Sequence, residues 1–212
     1  MIEEVALVLL PGLAVAANPI PVIASFRMAA VDRGITLALV FAAGWMLGLA
    51  LESYVVLLVV DGFLGSDDTT SWAWLHLILA LVMAGLAVRL WRRRFAEAPG
   101  PVPVWLDEVS GFTVPRTLGV AVALAAVNPR VLVFTVAAMS ALVQQGASAA
   151  GLVWFVALGS IGVVFPVARA GVGAHDREDD PSRWWVEHNI VVAATVLVFM
   201  AATQLAAAAL AA

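Results

Sequence analysis

The 212-residue chain contains no cysteine. Disulfide frameworks, thiolate metal sites and dithiol redox chemistry are therefore excluded, and with them the thiol-carrying membrane reductases. Charge is scarce as well: 12% of the residues are charged, against roughly 25% in soluble domains. Lysine is missing altogether, so all eleven basic residues are arginine. The sequence has no His-Glu-x-x-His pair, no paired intramembrane aspartates and no Gly-x-Ser-x-Gly elbow, which argues against an intramembrane enzyme. No catalytic residue, enzymatic activity or cofactor is expected. Glu52 and His76 are too few ligands for a metal. An ATP-binding loop is absent too, so any step that needs energy would draw it from a gradient, a partner or the molecule acted on. A net charge of −4 gives no reason to expect a nucleic-acid partner.

What the chain has in abundance is apolar length. It is 63% hydrophobic, with a mean hydropathy of +1.01. Six stretches, residues 5–28, 35–60, 72–90, 117–143, 149–172 and 186–210, can each cross about 30 Å of hydrocarbon at about 1.5 Å per residue. Turn formers or charges separate them: Val31-Asp32-Arg33-Gly34, the acidic stretch from Asp61 to Ser71, Gln144-Gln145-Gly146, and the charged stretch from His175 to Arg183. The start, Met1-Ile2-Glu3-Glu4, is acidic and no small-residue cleavage site follows, so the first stretch is expected to stay as a helix.

Arginine sets the expected orientation. With alternate loops on alternate sides, Arg27, Arg33, Arg89, Arg92, Arg93, Arg94, Arg116, Arg169, Arg177 and Arg183 all fall on one side, and Arg130 alone lies inside a span. The positive-inside rule makes that side cytoplasmic and puts both termini outside, in a multi-pass protein of a bacterial cytoplasmic membrane.

The chain repeats itself. Ala16-Ala17-Asn18-Pro19 returns as Ala126-Val127-Asn128-Pro129. Phe41, Gly44 and Gly48 are echoed by Phe155, Gly159 and Gly162, and Trp72-x-x-x-His76 by Trp184-x-x-x-His188. Three matches in order imply a 3+3 duplication, and an odd number of spans per half inverts one half against the other. The expected fold is thus an all-α integral membrane protein of six transmembrane helices, two inverted three-helix repeats with broken first and fourth helices. Its parts are residues 1–90, a cytoplasmic linker at 91–115 and residues 116–212. In the linker, Trp105, Leu106, Val109 and Phe112 form an apolar stripe that reads as a short helix in the interface plane.

Asn18 and Asn128 fall about 15 and 12 residues into their spans, near mid-membrane. Proline there removes an N–H and clashes with the preceding turn, so each helix bends or opens. Freed backbone at that depth must be buried in protein or line a wet cavity. The candidate substrate-binding residues are therefore Asn18, Pro19, Pro21, Ser25, Asn128, Pro129, Arg130 and Thr135. Ser25 and Thr135 each follow their asparagine by seven residues. An arginine at the midplane costs a few kcal/mol, so Arg130 should meet an anion, either a head group or a carboxylate such as Glu52. Glu52 and His76 are the candidates for a gate or proton relay.

The ordered set Ala17-Asn18-Pro19-Ile20-Pro21-Val22, Gly44-Trp45-Met46-Leu47-Gly48, Val88-Arg89-Leu90-Trp91-Arg92-Arg93-Arg94, Trp105-Leu106-Asp107, Arg116-Thr117-Leu118-Gly119, Val127-Asn128-Pro129-Arg130 and Trp185-Val186-Glu187-His188-Asn189 resembles the GAP or Sap family, the sulfolipid- or peptidoglycolipid-addressing proteins of the LysE exporter superfamily. The resemblance implies a membrane protein that moves glycolipids toward the surface of lipid-rich bacterial envelopes. Family members tend to carry Lys where this chain has Arg130. The leading expectation is a transporter or exporter of a glycolipid or other amphiphile, with membrane lipids, envelope-lipid synthases or larger transporters, or a second copy of the chain as partners. Export of a small polar solute such as an amino acid, and a non-transporting scaffold for envelope-lipid assembly, are the alternatives.

Overall fold

The computed structural model describes residues 2–31, 33–64, 69–94, 103–146, 149–171 and 181–211. The proline run at 99–102 and the charged stretch from His175 to Asp180, Arg177 included, lie outside them. Among the described residues the regular structure is entirely helical: α1 (Ile2–Ala16), α2 (Pro19–Ala29), α3 (Gly34–Leu64), α4 (Thr69–Arg94), α5 (Val114–Ala126), α6 (Pro129–Gln144), α7 (Ala149–Gly171) and α8 (Pro181–Ala211).

Four helices are long and apolar enough to cross a membrane unaided, over Gly34–Gly62, Ser71–Arg92, Ala149–Gly171 and Ile190–Leu210. The other four form two bent pairs, α1 with α2 at 60° and α5 with α6 at 57°, and taking each pair as one span brings the number to six. The bends have one local cause. The ring of a proline pushes the residue before it out of the helical region, and Asn18 (φ −70°, ψ 117°) and Asn128 (φ −78°, ψ 113°) are both extended. Proline then starts the next helix, where its missing N–H has no helical partner to lose.

Helix α3 lies against α5, α6, α7 and α2, while α7 lies against α1 and α2 as well as α3. Helices α4 and α8 run along each other and join the rest through α6 and α2. Close approach at the crossings rests on glycine. A Cβ on Gly44 would sit 2.9 Å from that of Ala121, and one on Gly48 2.8 Å from the Val122 carbonyl oxygen, so α3 and α5 touch backbone to backbone. Gly162 does the same for α7 and α1: a Cβ there would collide with the Ala16 carbonyl, in the last turn before the first break. Small residues that let backbones meet are how helices associate where lipid removes the hydrophobic drive.

Apolar side chains also cover the outside. Leu39, Leu47, Leu51, Val55 and Leu58 on α3, Ile78, Leu81 and Val88 on α4, and Val198, Phe199 and Leu205 on α8 are exposed. Continuous apolar surface of this extent is stable against hydrocarbon and not against water. The chain is a multi-pass membrane protein.

The linker departs from the interface helix expected of it. Residues 103–113 form two short 3₁₀ turns, Val104–Leu106 and Val109–Gly111. Leu106, Val109 and Phe112 are buried, Trp105 stacks on Phe112 with centroids 6.3 Å apart, and the Arg116 guanidinium lies 4.2 Å over the Phe112 ring. A spacing of three suits the 3₁₀ turn, in which residues i and i+3 eclipse. The stripe therefore faces the bundle and not a lipid surface.

Candidate functional site

The two Asn-Pro breaks share a backbone but not an environment. At the second, the Asn128 side-chain oxygen accepts the Arg130 backbone N–H at 3.0 Å, an ordinary helix cap. This break is peripheral: Asn128 and Arg130 are half-buried, Pro129 is exposed, and Val127 is 77% exposed. At the first, Asn18 makes no cap bond. Its side chain is 4% exposed, and neither the amide nitrogen nor its oxygen has a hydrogen-bond partner. Pro19, Pro21 and Ser25 are buried beside it along α2. A buried amide with both ends unmatched costs several kcal/mol at the upper end of the range for polar groups, so Asn18 is held at a site that packing alone does not favour.

Ser25 and Thr135 reach out of their own helices into the opposite half. Ser25 Oγ donates to the Val163 carbonyl of α7 at 2.7 Å. Pro166 lies inside α7 and lacks the N–H that would serve Gly162, and the hydroxyl arrives in this loosened turn. Thr135 Oγ1 lies 3.2 Å from Glu52 Oε2 on α3 and 3.0 Å from the Val131 carbonyl one turn back. A hydroxyl has one proton, so Thr135 serves one acceptor at a time unless Glu52 itself donates. The other carboxyl oxygen, Glu52 Oε1, is buried without a partner, as are Ser53 Oγ and Thr117 Oγ1. Neither of these last two is among the candidate residues of the sequence, and both differ from Ser140 and Ser160, which bond back to carbonyls of their own helices.

His76 has a site of its own. It is 4% exposed, with Nδ1 2.7 Å from Gln204 Oε1 and Nε2 3.0 Å from Gln144 Nε2. The neutral imidazole fits this setting, donating from Nδ1 to the Gln204 oxygen and accepting from the Gln144 amide at Nε2. The three residues come from the start of α4, the end of α6 and the end of α8, so those ends share one side of the bundle. Thr135 and Gln144 are nine residues apart on α6, about 13 Å along the axis. The Glu52 and His76 sites are thus at different depths, each with its own partners. His188, which shares the Trp-x-x-x-His spacing of His76, behaves differently: it stacks on Trp184 at 4.7 Å and bonds that residue's carbonyl at the surface.

Trp45 adds one more tie between halves, its indole N–H donating to the Gly159 carbonyl at 3.3 Å from a fully buried position. It belongs to the Gly44-to-Gly48 segment on which part of the resemblance rests. The family model described as Sap, sulfolipid-1-addressing protein, matches residues 8–210. The chain belongs to the Sap family. No curated protein and no solved structure matches it. The matched span takes in both Asn-Pro breaks, Glu52, His76 and the docked linker.

Proposed function

We propose that this Sap-family protein is a transporter that moves a glycolipid or another amphiphile across or out of the bacterial cytoplasmic membrane. The observation that carries the reading is Asn18: a buried amide at a helix break, with donor and acceptor both unmatched. A head group rich in hydroxyls supplies both partners. The family's description names a sulfolipid, which agrees with an amphiphilic cargo. Arg130, half-buried at the second break, is the cation toward which an anionic part of such a head would be drawn.

The two halves act as inverted repeats of the kind seen in secondary transporters, the LysE exporters among them. Support comes from the exchange of partners: α3 with α5 and α6 mirrors α7 with α1 and α2, and α4 with α8 pairs equivalent helices. The Ser25 and Thr135 hydroxyls repeat the exchange at the level of single hydrogen bonds. Glu52 with Thr135 forms an inner polar element that responds as the halves move, and His76 with Gln144 and Gln204 forms a gate on the side of both termini. The arginine-bearing side is cytoplasmic, the termini are outside, and no catalytic step is involved. Membrane lipids and the enzymes that build envelope lipids are the natural partners.

The test is lipid profiling of the cell surface in a deletion strain complemented with the wild type, Asn18→Ala or Arg130→Ala. Wild type restores the surface lipids, Asn18→Ala fails to, and Arg130→Ala restores them weakly. Surface lipids unchanged across the whole series would remove amphiphile export.

A further inference from the structure

The inverted repeat makes a demand that the His76 gate meets on one side only. An equivalent lock on the other side would use His188, yet His188 stays on its own helix at the surface. What occupies that side instead is the linker. Arg27, in the last turn of α2, pairs with Asp107 Oδ1, and its Nη1 also reaches the Leu106 carbonyl at 3.4 Å. Arg116, at the start of α5, holds Glu108 at 3.1 Å. Leu106 and Val109, each 2% exposed, and Phe112 are sunk into the bundle beneath these ion pairs.

From this placement we infer that residues 103–113 are a plug that closes the arginine-bearing side by pinning the C-terminal end of α2. Helix α2 packs on α3, α7 and α8, and its break from α1 leaves Asn18 as the point about which it would turn. It is cut from α1 at Asn18-Pro19, meets α7 along a seam that contains Ser25, and is held at its far end by the linker. The division of labour follows from magnitudes. An ion pair as exposed as Arg27–Asp107, with side chains 33% and 69% accessible, adds little by itself. The three apolar anchors hold the plug, and the ion pair sets where it rests against α2. When the plug lifts, α2 swings about Asn18 and the α2–α7 seam opens to the cytoplasm. The plug rests on the transporter reading for its purpose, but its test does not need the cargo.

Because the chain has no cysteine, a single introduced thiol reports accessibility cleanly. The probe is a membrane-impermeant maleimide applied to full-length Ser25→Cys protein in inside-out and right-side-out vesicles. With the plug intact the thiol is protected in both. Adding Val109→Asp, which drives the anchor toward water, speeds labelling about fivefold or more in inside-out vesicles only, and Asp107→Arg, which sets two exposed cations against each other, gives a smaller increase. The double exchange Arg27→Asp with Asp107→Arg returns the rate to the protected level. Each variant is checked for monodisperse elution in detergent. Unchanged labelling in correctly folded Asp107→Arg and Val109→Asp proteins would overturn the plug, and so would fast labelling of Ser25→Cys alone. If labelling follows this pattern while surface lipids do not depend on the protein, the plug stands and the lipid cargo falls.

Discussion

Thr135 Oγ1 stands 3.2 Å from Glu52 Oε2 and is, among the described residues, the hydrogen-bond partner of a carboxyl whose other oxygen has none. The two residues belong to opposite halves of the chain, so the contact senses how α6 sits against α3. Removing the hydroxyl without changing shape isolates it. Thr135→Val leaves a buried carboxyl with no partner, and an unsatisfied buried group costs about 1–3 kcal/mol. Thr135→Ser keeps the bond and stays near wild type. Glu52→Gln retains an acceptor for Thr135 and folds, but loses surface-lipid export because the carboxyl is gone. Thermal unfolding in detergent reads the first two, and lipid profiling the third.

Helix crossings give a second, purely structural prediction. Gly162→Ala forces a methyl onto the Ala16 carbonyl, and Gly48→Ala places one 2.8 Å from the Val122 carbonyl. Backbone cannot step aside as a side chain can, so each should cost at least the roughly 1–3 kcal/mol typical of overpacking. A methyl added at Gly85 or Gly119 would meet nothing within 4 Å, and alanine there stabilises by about 0.5–1 kcal/mol through helix propensity. Unfolding temperatures of the four variants should split cleanly into these two pairs.

How much of the fold and the site is legible in the sequence depends on how local each cause is. The breaks at Asn18 and Asn128 follow from proline stereochemistry acting on one neighbour, and the structure bends at both. The apolar spans follow from composition, and four stand alone while two need a bent pair. The linker misleads because Leu106, Val109 and Phe112 satisfy a helical stripe as well as a 3₁₀ one, and only docking decides between them. The partners of His76 are out of reach for another reason: Gln144 reads as part of a turn and Gln204 lies 128 residues away. The motif likewise hides that Asn128 caps its helix while Asn18 does not, since that difference belongs to the surroundings.

The histidines of the two Trp-x-x-x-His segments should diverge under mutation. His76→Ala strands the buried Gln204 oxygen and removes the partner of the half-buried Gln144 amide, with a loss of about 1–3 kcal/mol for the buried group left unsatisfied. His188→Ala removes a surface stack and a bond to its own helix, a change within about 0.5 kcal/mol. A drop in unfolding temperature for His76→Ala alone supports His76 as a lock between α4, α6 and α8. Equal drops would make it ordinary packing.

The asparagines supply the sharpest separation of stability from function. Asn128→Ala deletes a cap bond to the Arg130 N–H and should cost about 0.5–2 kcal/mol. Asn18→Ala deletes nothing that folding uses, because its amide is buried and unmatched at both ends. Taking away such a group relieves a desolvation penalty, so Asn18→Ala should unfold no earlier than wild type. Yet Asn18→Ala should lose surface-lipid export, since the unmatched donor and acceptor are what a cargo head group would fill. A variant at least as stable as wild type and inactive is the signature of a side chain kept for binding. If Asn18→Ala is instead strongly destabilised, the amide has a structural partner and ceases to be a binding group.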